Sequence, residues 1–326
     1  MVQLFLIGLS AGAATALLFA SVASGSPLSV LLFYLAPLPI LIAALGWSHW
    51  AALIAAIVAS AGLAAVFGSF FFIAFLLGVG LPAWWLGYLA LLARPTATAT
   101  ASPDGLEWYP VGHLVFWAAV ISALIVIAAM LNFGTDAESF RASLRSSLER
   151  MLHISERAAA GPSSPAAQRA DPSRLIEFLV MALPPAAAVL TTITSVVNLW
   201  LAGRIAKISG RLRRPPPDLS AMRFPGFAPA LAAAAIAASF LPGLIGITAG
   251  VLGASMLMAY AILGFAVLHA ITRGLGSRPF ALGGIYAAVI VFGWPVLALT
   301  LLGLADTAFD FRGRAARKRH PPGPAR

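Results

Sequence analysis

The chain contains no cysteine, and only 10% of its 326 residues are charged. The first absence excludes disulfides, thiolate nucleophiles and cysteine-ligated zinc or iron–sulfur sites. The second excludes an ordinary soluble domain, in which about a quarter of residues carry charge. A GxxxxGK[ST] phosphate loop is missing, so the chain is not itself the P-loop motor of an ATP-driven pump. HExxH is missing too, and His49, His113, His153, His269 and His320 have no spacing that sets two ligands on one metal. No Asp or Glu falls at the middle of a long apolar run, which argues against a carboxylate proton relay or an ion-coupled carrier. We therefore expect no metal, no cofactor and no catalytic residue: the chain reads as a non-enzyme. Acidic residues are scarce, 11 against 21 Lys and Arg, for a net charge of +10. The basic residues lie between apolar runs and in the tail, without interleaved stacking aromatics. That is the positive-inside pattern of a membrane protein and not a nucleic-acid surface.

What the sequence does have is hydrophobicity, at 60% of residues. A hydrocarbon core of about 30 Å needs roughly 20 apolar residues per helix, and such runs recur along the chain. The expected fold is an all-α, polytopic transmembrane helix bundle. Residues 2–22, 28–46, 50–67 and 69–92 follow one another almost without loops and form an N-terminal four-helix unit, 1–92. The run Ala20, Ser21, Val22, Ala23 faintly resembles a cleavage site but lacks a positive n-region, so the first run is expected to stay as a span. A low-complexity linker, 93–110, is too polar and proline-broken to cross. The fifth span occupies 111–132.

A polar insert, 133–172, follows. Thr135 and Glu138 form a capping-box pattern, and Phe140, Leu144, Leu148, Met151 and Leu152 then recur at helical spacing, with charged residues on the other faces. This is an extramembrane amphipathic helix, lying on the membrane surface as the preferred placement, or packed against a partner as the alternative. The C-terminal membrane helices fill 173–305, with a sixth span at 175–202 and clear runs at 245–270 and 281–304. Between them, 227–241 is only about 15 residues long, short for a crossing. Taken as a half-helix it gives eight spans, the preferred count, with the basic tail 306–326 in the cytoplasm. Taken as a crossing it gives nine and places the tail outside.

Three constellations stand out. Gly8, Gly12, Ala16 and Ala20 repeat at intervals of four and make one face of the first helix small enough for close docking, either within the chain or onto a separate subunit. Thr191, Thr194, Ser195 and Asn198 fall on one stripe of the sixth span, where they serve as interhelical hydrogen-bonding groups or line a solute site. His269 and Asn132 could join either arrangement. Arg204, Lys207, Arg211, Arg213 and Arg214 form a basic cluster suited to anionic lipid headgroups on the cytoplasmic side. Asp306 and Asp310 read as solvated caps after the last helix.

The segments at 36–63 and 70–89, together with 198–220 (NLWLAGRIAKISGRLRRPPPDLS), 264–274 and 301–312, resemble the YybS-like family of bacterial membrane proteins in order and type. That family is similar in its N-terminal helices to the substrate-binding S components of energy-coupling-factor transporters. The resemblance implies a small-solute binder of the bacterial inner membrane, whose Gly12, Ala16 and Ala20 face would dock on a coupling subunit that works with an ATPase. The chain departs from it in carrying extra C-terminal helices, and no vitamin-binding loop is identifiable. The functional expectation is a membrane-embedded small-solute binding or transport protein, with a non-transporting scaffold as the alternative.

Overall fold

The computed structural model describes residues 1–96, 105–159, 172–216 and 218–319. Helix α1 (Val2–Ala20) starts the N-terminal unit. The second apolar run is not one helix but two, α2 (Pro27–Tyr34) and α3 (Leu38–Gly46). The cause is the sequence Leu35-Ala-Pro-Leu-Pro39: neither proline has an N–H to donate, and Leu38 N–H turns to the nearer carbonyl of Leu35 at 2.9 Å. The carbonyl of Tyr34 is thereby left without its helical donor. Helix α4 (His49–Phe67) begins at Ser48, whose side chain accepts from Trp50 N–H. It stops at Gly68, whose φ of +102° suits glycine. Helices α5 (Phe70–Phe75) and α6 (Leu81–Ala90) are joined by one widened turn at Leu76–Gly80.

The linker then brings a small correction. Its ends pair as an antiparallel ribbon, β1 (Ala93–Pro95) with β2 (Leu106–Trp108), clasped by an Arg94–Glu107 ion pair at 2.7 Å. Helix α7 (Val111–Met130) forms the fifth span. The amphipathic helix is α8 (Ala137–Ala159), and its cap is Asp136, not Thr135: the Asp136 carboxylate accepts from the N–H groups of Glu138 and Ser139 at 3.0 and 2.9 Å. Part of the helix docks onto the bundle. Phe140 is buried against Ala123, Val126, Met130, Ala188 and Val251.

The C-terminal part comprises α9 (Pro172–Ile208), α10 (Ala228–Ala238), α11 (Gly243–Ile271), α12 (Arg278–Phe292), α13 (Pro295–Phe309) and α14 (Phe311–Arg319). At about 1.5 Å per residue, α9 is longer than a membrane crossing requires. Among the described residues seven helical segments are long and apolar enough to cross, and α10, α12 and α13 are shorter. This corrects the expected last span at 281–304. Gly293 takes φ +71°, and Pro295, which lacks an N–H, starts a new helix. The run therefore divides into two 15-residue helices, each about 22 Å long and short of a 30 Å core.

Packing follows small residues. Gly264 and Gly303 set the backbones of α11 and α13 in direct contact: a β-carbon on Gly264 would overlap the Leu299 carbonyl, and one on Gly303 the Tyr260 carbonyl. One core gathers Ile40, Leu41, Ala52, Ala55 and Leu86 of the N-terminal unit; a second gathers Phe116, Met256, Tyr260 and Leu263. Val196 of α9 packs against both. Large apolar side chains such as Phe5, Leu17, Ile73, Phe280 and Ile290 point outward, as they do where the solvent is lipid. Helix α12 has no buried residue.

Candidate ligand-binding cavity

One end of the bundle collects the loops rich in positive charge, and the segment after α9 is their hub. Arg211 lies 4.7 Å over the ring of Trp47, just past α3. Arg214 donates to the carbonyls of Ala90, at the end of α6, and Tyr109, just before α7, at 3.1 and 3.3 Å. The backbone of Arg223 lies against Gly112 so closely that a β-carbon there would overlap it. Arg273, after α11, pairs with Asp218 at 3.3 Å, and Arg223 pairs with Asp310, after α13, at 2.9 Å.

Beside this hub, α7, α9, α11 and α12 line a cavity of about 640 Å³ that is open on one side, within the roughly 300–1,000 Å³ typical of ligand sites. Its walls are apolar: Leu114 and Val115 of α7, Val196 and Leu199 of α9, Ile262 and Phe265 of α11. Its rim is cationic, with Arg204, Lys207, Arg214, Arg273 and Arg278, and among the described residues Asp218 is the one acidic residue lining it. Asp218 already faces Arg273, so positive charge remains in excess. Burial lowers the pKa of Arg214 below the usual guanidinium value, though an arginine stays protonated. The Nε–H groups of Arg214 and Arg278 are buried without a hydrogen-bond partner. On the α12 side the wall is held by one contact patch: the ring of Tyr286 stacks on Phe265, 5.2 Å between centroids, and its hydroxyl lies 2.8 Å from His269 Nε2.

The predicted polar stripe divides. Asn198 is buried, and its Nδ2 donates to the Tyr34 and Thr194 carbonyls, each at 2.8 Å. It supplies the donor that the α2–α3 break removed. Thr191 turns back onto its own helix, donating to the Ala187 carbonyl at 2.8 Å, and Thr194 and Ser195 are half-buried. None of the four lines the cavity. The interior hydroxyl is the neighbouring Thr192, 2.7 Å from Ser255, which in turn donates to the Ala119 carbonyl at 2.6 Å. Two hydroxyl protons thus tie α9 to α11 and α11 to α7 in one hydrogen-bonding junction. His269 joins the cavity patch, and Asn132 caps its own helix through the Ala129 carbonyl at 3.2 Å.

The small-residue ladder packs inside the chain. Gly8 meets Ile54 and the Ala51 carbonyl of α4, Gly12 meets Val58 and the Ala55 carbonyl, and Ala16 and Ala20 pack on the cluster of Ala59, Leu63 and Phe75. Of the basic cluster, Arg204, Lys207 and Arg214 line the cavity, whereas Arg211 and Arg213 are exposed away from it. Asp306 is not a solvated cap. It is buried within α13 and holds Arg312, Nη2 to Oδ2 at 2.8 Å, while Arg312 Nη1 donates to the Met222 carbonyl at 2.6 Å. Sequence reasoning missed Thr192, Ser255 and this ion pair. A lone hydroxyl within an apolar helix and an Asp six residues before an Arg carry no spacing signal.

A bundle of apolar helices with a basic end defines a polytopic α-helical membrane protein. The chain belongs to the family described as predicted membrane protein (DUF2232), whose model matches residues 13–307. No curated protein and no solved structure matches it. The family match agrees with the resemblance to uncharacterised membrane proteins and adds no support for the narrower YybS-like name or for kinship with S components.

Proposed function

We propose that the chain is a membrane-embedded binding protein for a small molecule, serving uptake, export or presentation of that molecule without chemistry of its own. The observation that carries this reading is the cavity of about 640 Å³ with apolar walls and a rim of converging cations. The cavity is open on one side, so a molecule can enter it, and its apolar walls with a charged end suit a ligand that is apolar along its body and charged at one end. In this reading the basic end, and with it the cavity mouth, lies on the cytoplasmic face of a bacterial inner membrane, in keeping with the positive-inside rule.

A coupling subunit, if one serves this chain, docks elsewhere than on the small-residue face of α1, because α4 fills that face. The scaffold reading loses ground because α8, its recruiting element, spends Phe140 on the bundle. The test is native mass spectrometry of full-length protein released from its own membranes. A bound mass retained by the wild type and absent from Gly203→Trp supports the reading, since Gly203 lines the cavity and, its own helix backbone aside, nothing lies within 4 Å of its would-be β-carbon. Equal occupancy in both proteins, or none in either, overturns it.

A further inference from the structure

We infer that the ligand of this cavity is a membrane phospholipid with an anionic headgroup, its acyl chain in the apolar part and its phosphate among the rim cations. The inference rests on the cavity being a ligand site and goes on to name the ligand's chemistry. Polarity within the cavity is one-sided: apolar residues from α7, α9 and α11 form the walls, and the cations gather at the hub end. A ligand that matches it must be apolar along its body and negative at one end. A free anion leaves the walls unused, and a neutral apolar solute leaves the cations unused.

The charge is also available. Arg204, Lys207 and Arg278 line the cavity without an ion pair among the described residues, and Arg278 keeps an unpartnered Nε–H. Guanidinium groups present paired N–H donors that match phosphate oxygens.

The mouth faces lipid as well as water. Val197 and Trp200 line the cavity yet are 44% and 52% exposed on the outer side of α9, where acyl chains lie in a membrane. Arg204 sits 5.8 Å over the Trp200 ring, one turn nearer the hub, the pairing of tryptophan and cation expected at headgroup depth. An acyl chain enters sideways between α9 and α12 while its phosphate stays level with the rim.

The test uses full-length protein in mild detergent, stripped of lipid. Dioleoyl phosphatidic acid, dioleoyl phosphatidylglycerol, dioleoyl phosphatidylcholine and inorganic phosphate are added separately and occupancy is read by native mass spectrometry. We expect the two anionic lipids to be retained in clear preference to phosphatidylcholine, and Lys207→Gln with Arg278→Gln to lower that retention by about five-fold per cation removed. Arg141→Gln on α8, at the other end, should leave it unchanged. A melting curve for each variant separates lost binding from lost folding.

Phosphatidylcholine held equally well, or anionic lipid held regardless of the two substitutions, overturns the inference in favour of a non-specific lipid shell. Inorganic phosphate that displaces bound lipid at millimolar concentration overturns it in favour of a free-anion site. A neutral molecule retained where no anionic lipid is retained leaves the cavity as a ligand site and refutes only its lipid assignment. Retention of nothing at all refutes both.

Discussion

Removing one partner of the Asp306–Arg312 pair should destabilise the protein far more than removing both. The side chains are 2% and 10% exposed, so neither charge has water to fall back on. Arg312 spends its Nε and Nη2 on Asp306 Oδ2, both at 2.8 Å, and its backbone N–H on Oδ1 at 3.1 Å. Asp306→Leu leaves a buried guanidinium without its carboxylate, and Arg312→Met leaves a buried carboxylate without its guanidinium. Each should cost about 3–5 kcal/mol, while the double variant, with apolar groups in both places, should fall near the wild type. The assay is a double-mutant cycle by reversible denaturant unfolding in micelles. The predicted coupling is about 3 kcal/mol or more, since an orphaned charge is the common penalty of both single variants. Two single losses below about 1 kcal/mol that simply add would refute the reasoning, because they are the signature of a solvated surface pair. Met222 also lines the cavity, so the single variants should retain ligand less well even at temperatures where they remain folded.

Three further outcomes follow from the packing. Gly12→Val should separate α1 from α4 at a cost of about 1–3 kcal/mol, seen as a lowered melting temperature, because its β-carbon would lie 2.7 Å from the Ala55 carbonyl; an unchanged melt would place α1 elsewhere. Asn198→Leu should cost about 1–3 kcal/mol by leaving the Tyr34 carbonyl without a donor, and Asn198→Asp should cost more, since a carboxylate there faces two carbonyls; the reverse order in denaturant titration would contradict the assigned hydrogen bonds. The Ser139 hydroxyl and backbone N–H hold Asp136 below its ordinary value of 3.8. A depressed carboxylate pKa stabilises the fold above the unfolded value and ceases to do so as pH falls through the folded one. The first turn of α8 should therefore begin to fray as pH falls below 3.8 and fray fully once pH has passed through the lower folded value, read as faster amide exchange at Glu138 and Ser139 after correction for intrinsic rates; protection unchanged from pH 6 down to acid in which the Asp136 carboxylate is seen to be protonated would refute it.

The membrane bundle was legible because it depends on composition: apolar runs of sufficient length have few other destinations. Its interruptions were legible only in part. Gly293-Trp-Pro295 and Leu35-Ala-Pro-Leu-Pro39 carry visible breakers, yet hydropathy averages across them and merges two short helices into one apparent span. The small-residue ladder announced a docking face, and only the fold shows that α4 occupies it. The basic cluster after α9 was evident as charge, but its cavity is built with Arg273, Arg278 and Phe265, which lie more than fifty residues further on and meet Arg204 and Lys207 only through the packing of α11 on α9. The polar stripe was legible in part: Asn198 ties α9 to the end of α2, as an interhelical hydrogen-bonding group would, while its other members turn to their own helix or lie half-buried. A helix with many neighbours has no single inner face, and Thr192, just outside the 0-3-4-7 pattern, is the hydroxyl that meets Ser255.

The central claim is that the space between α9, α11 and α12 is a ligand site, and the absence of cysteine allows it to be probed directly. Gly203→Cys places a single thiol on the cavity wall, with nothing beyond its own helix backbone within 4 Å of its β-carbon. Its maleimide labelling rate is to be measured in bilayers made from the native lipid extract and again after exhaustive delipidation into detergent. The account predicts strong protection in the native lipid, loss of protection on delipidation, and its return when the extract is added back. Labelling at one unchanging rate through all three conditions would contradict it.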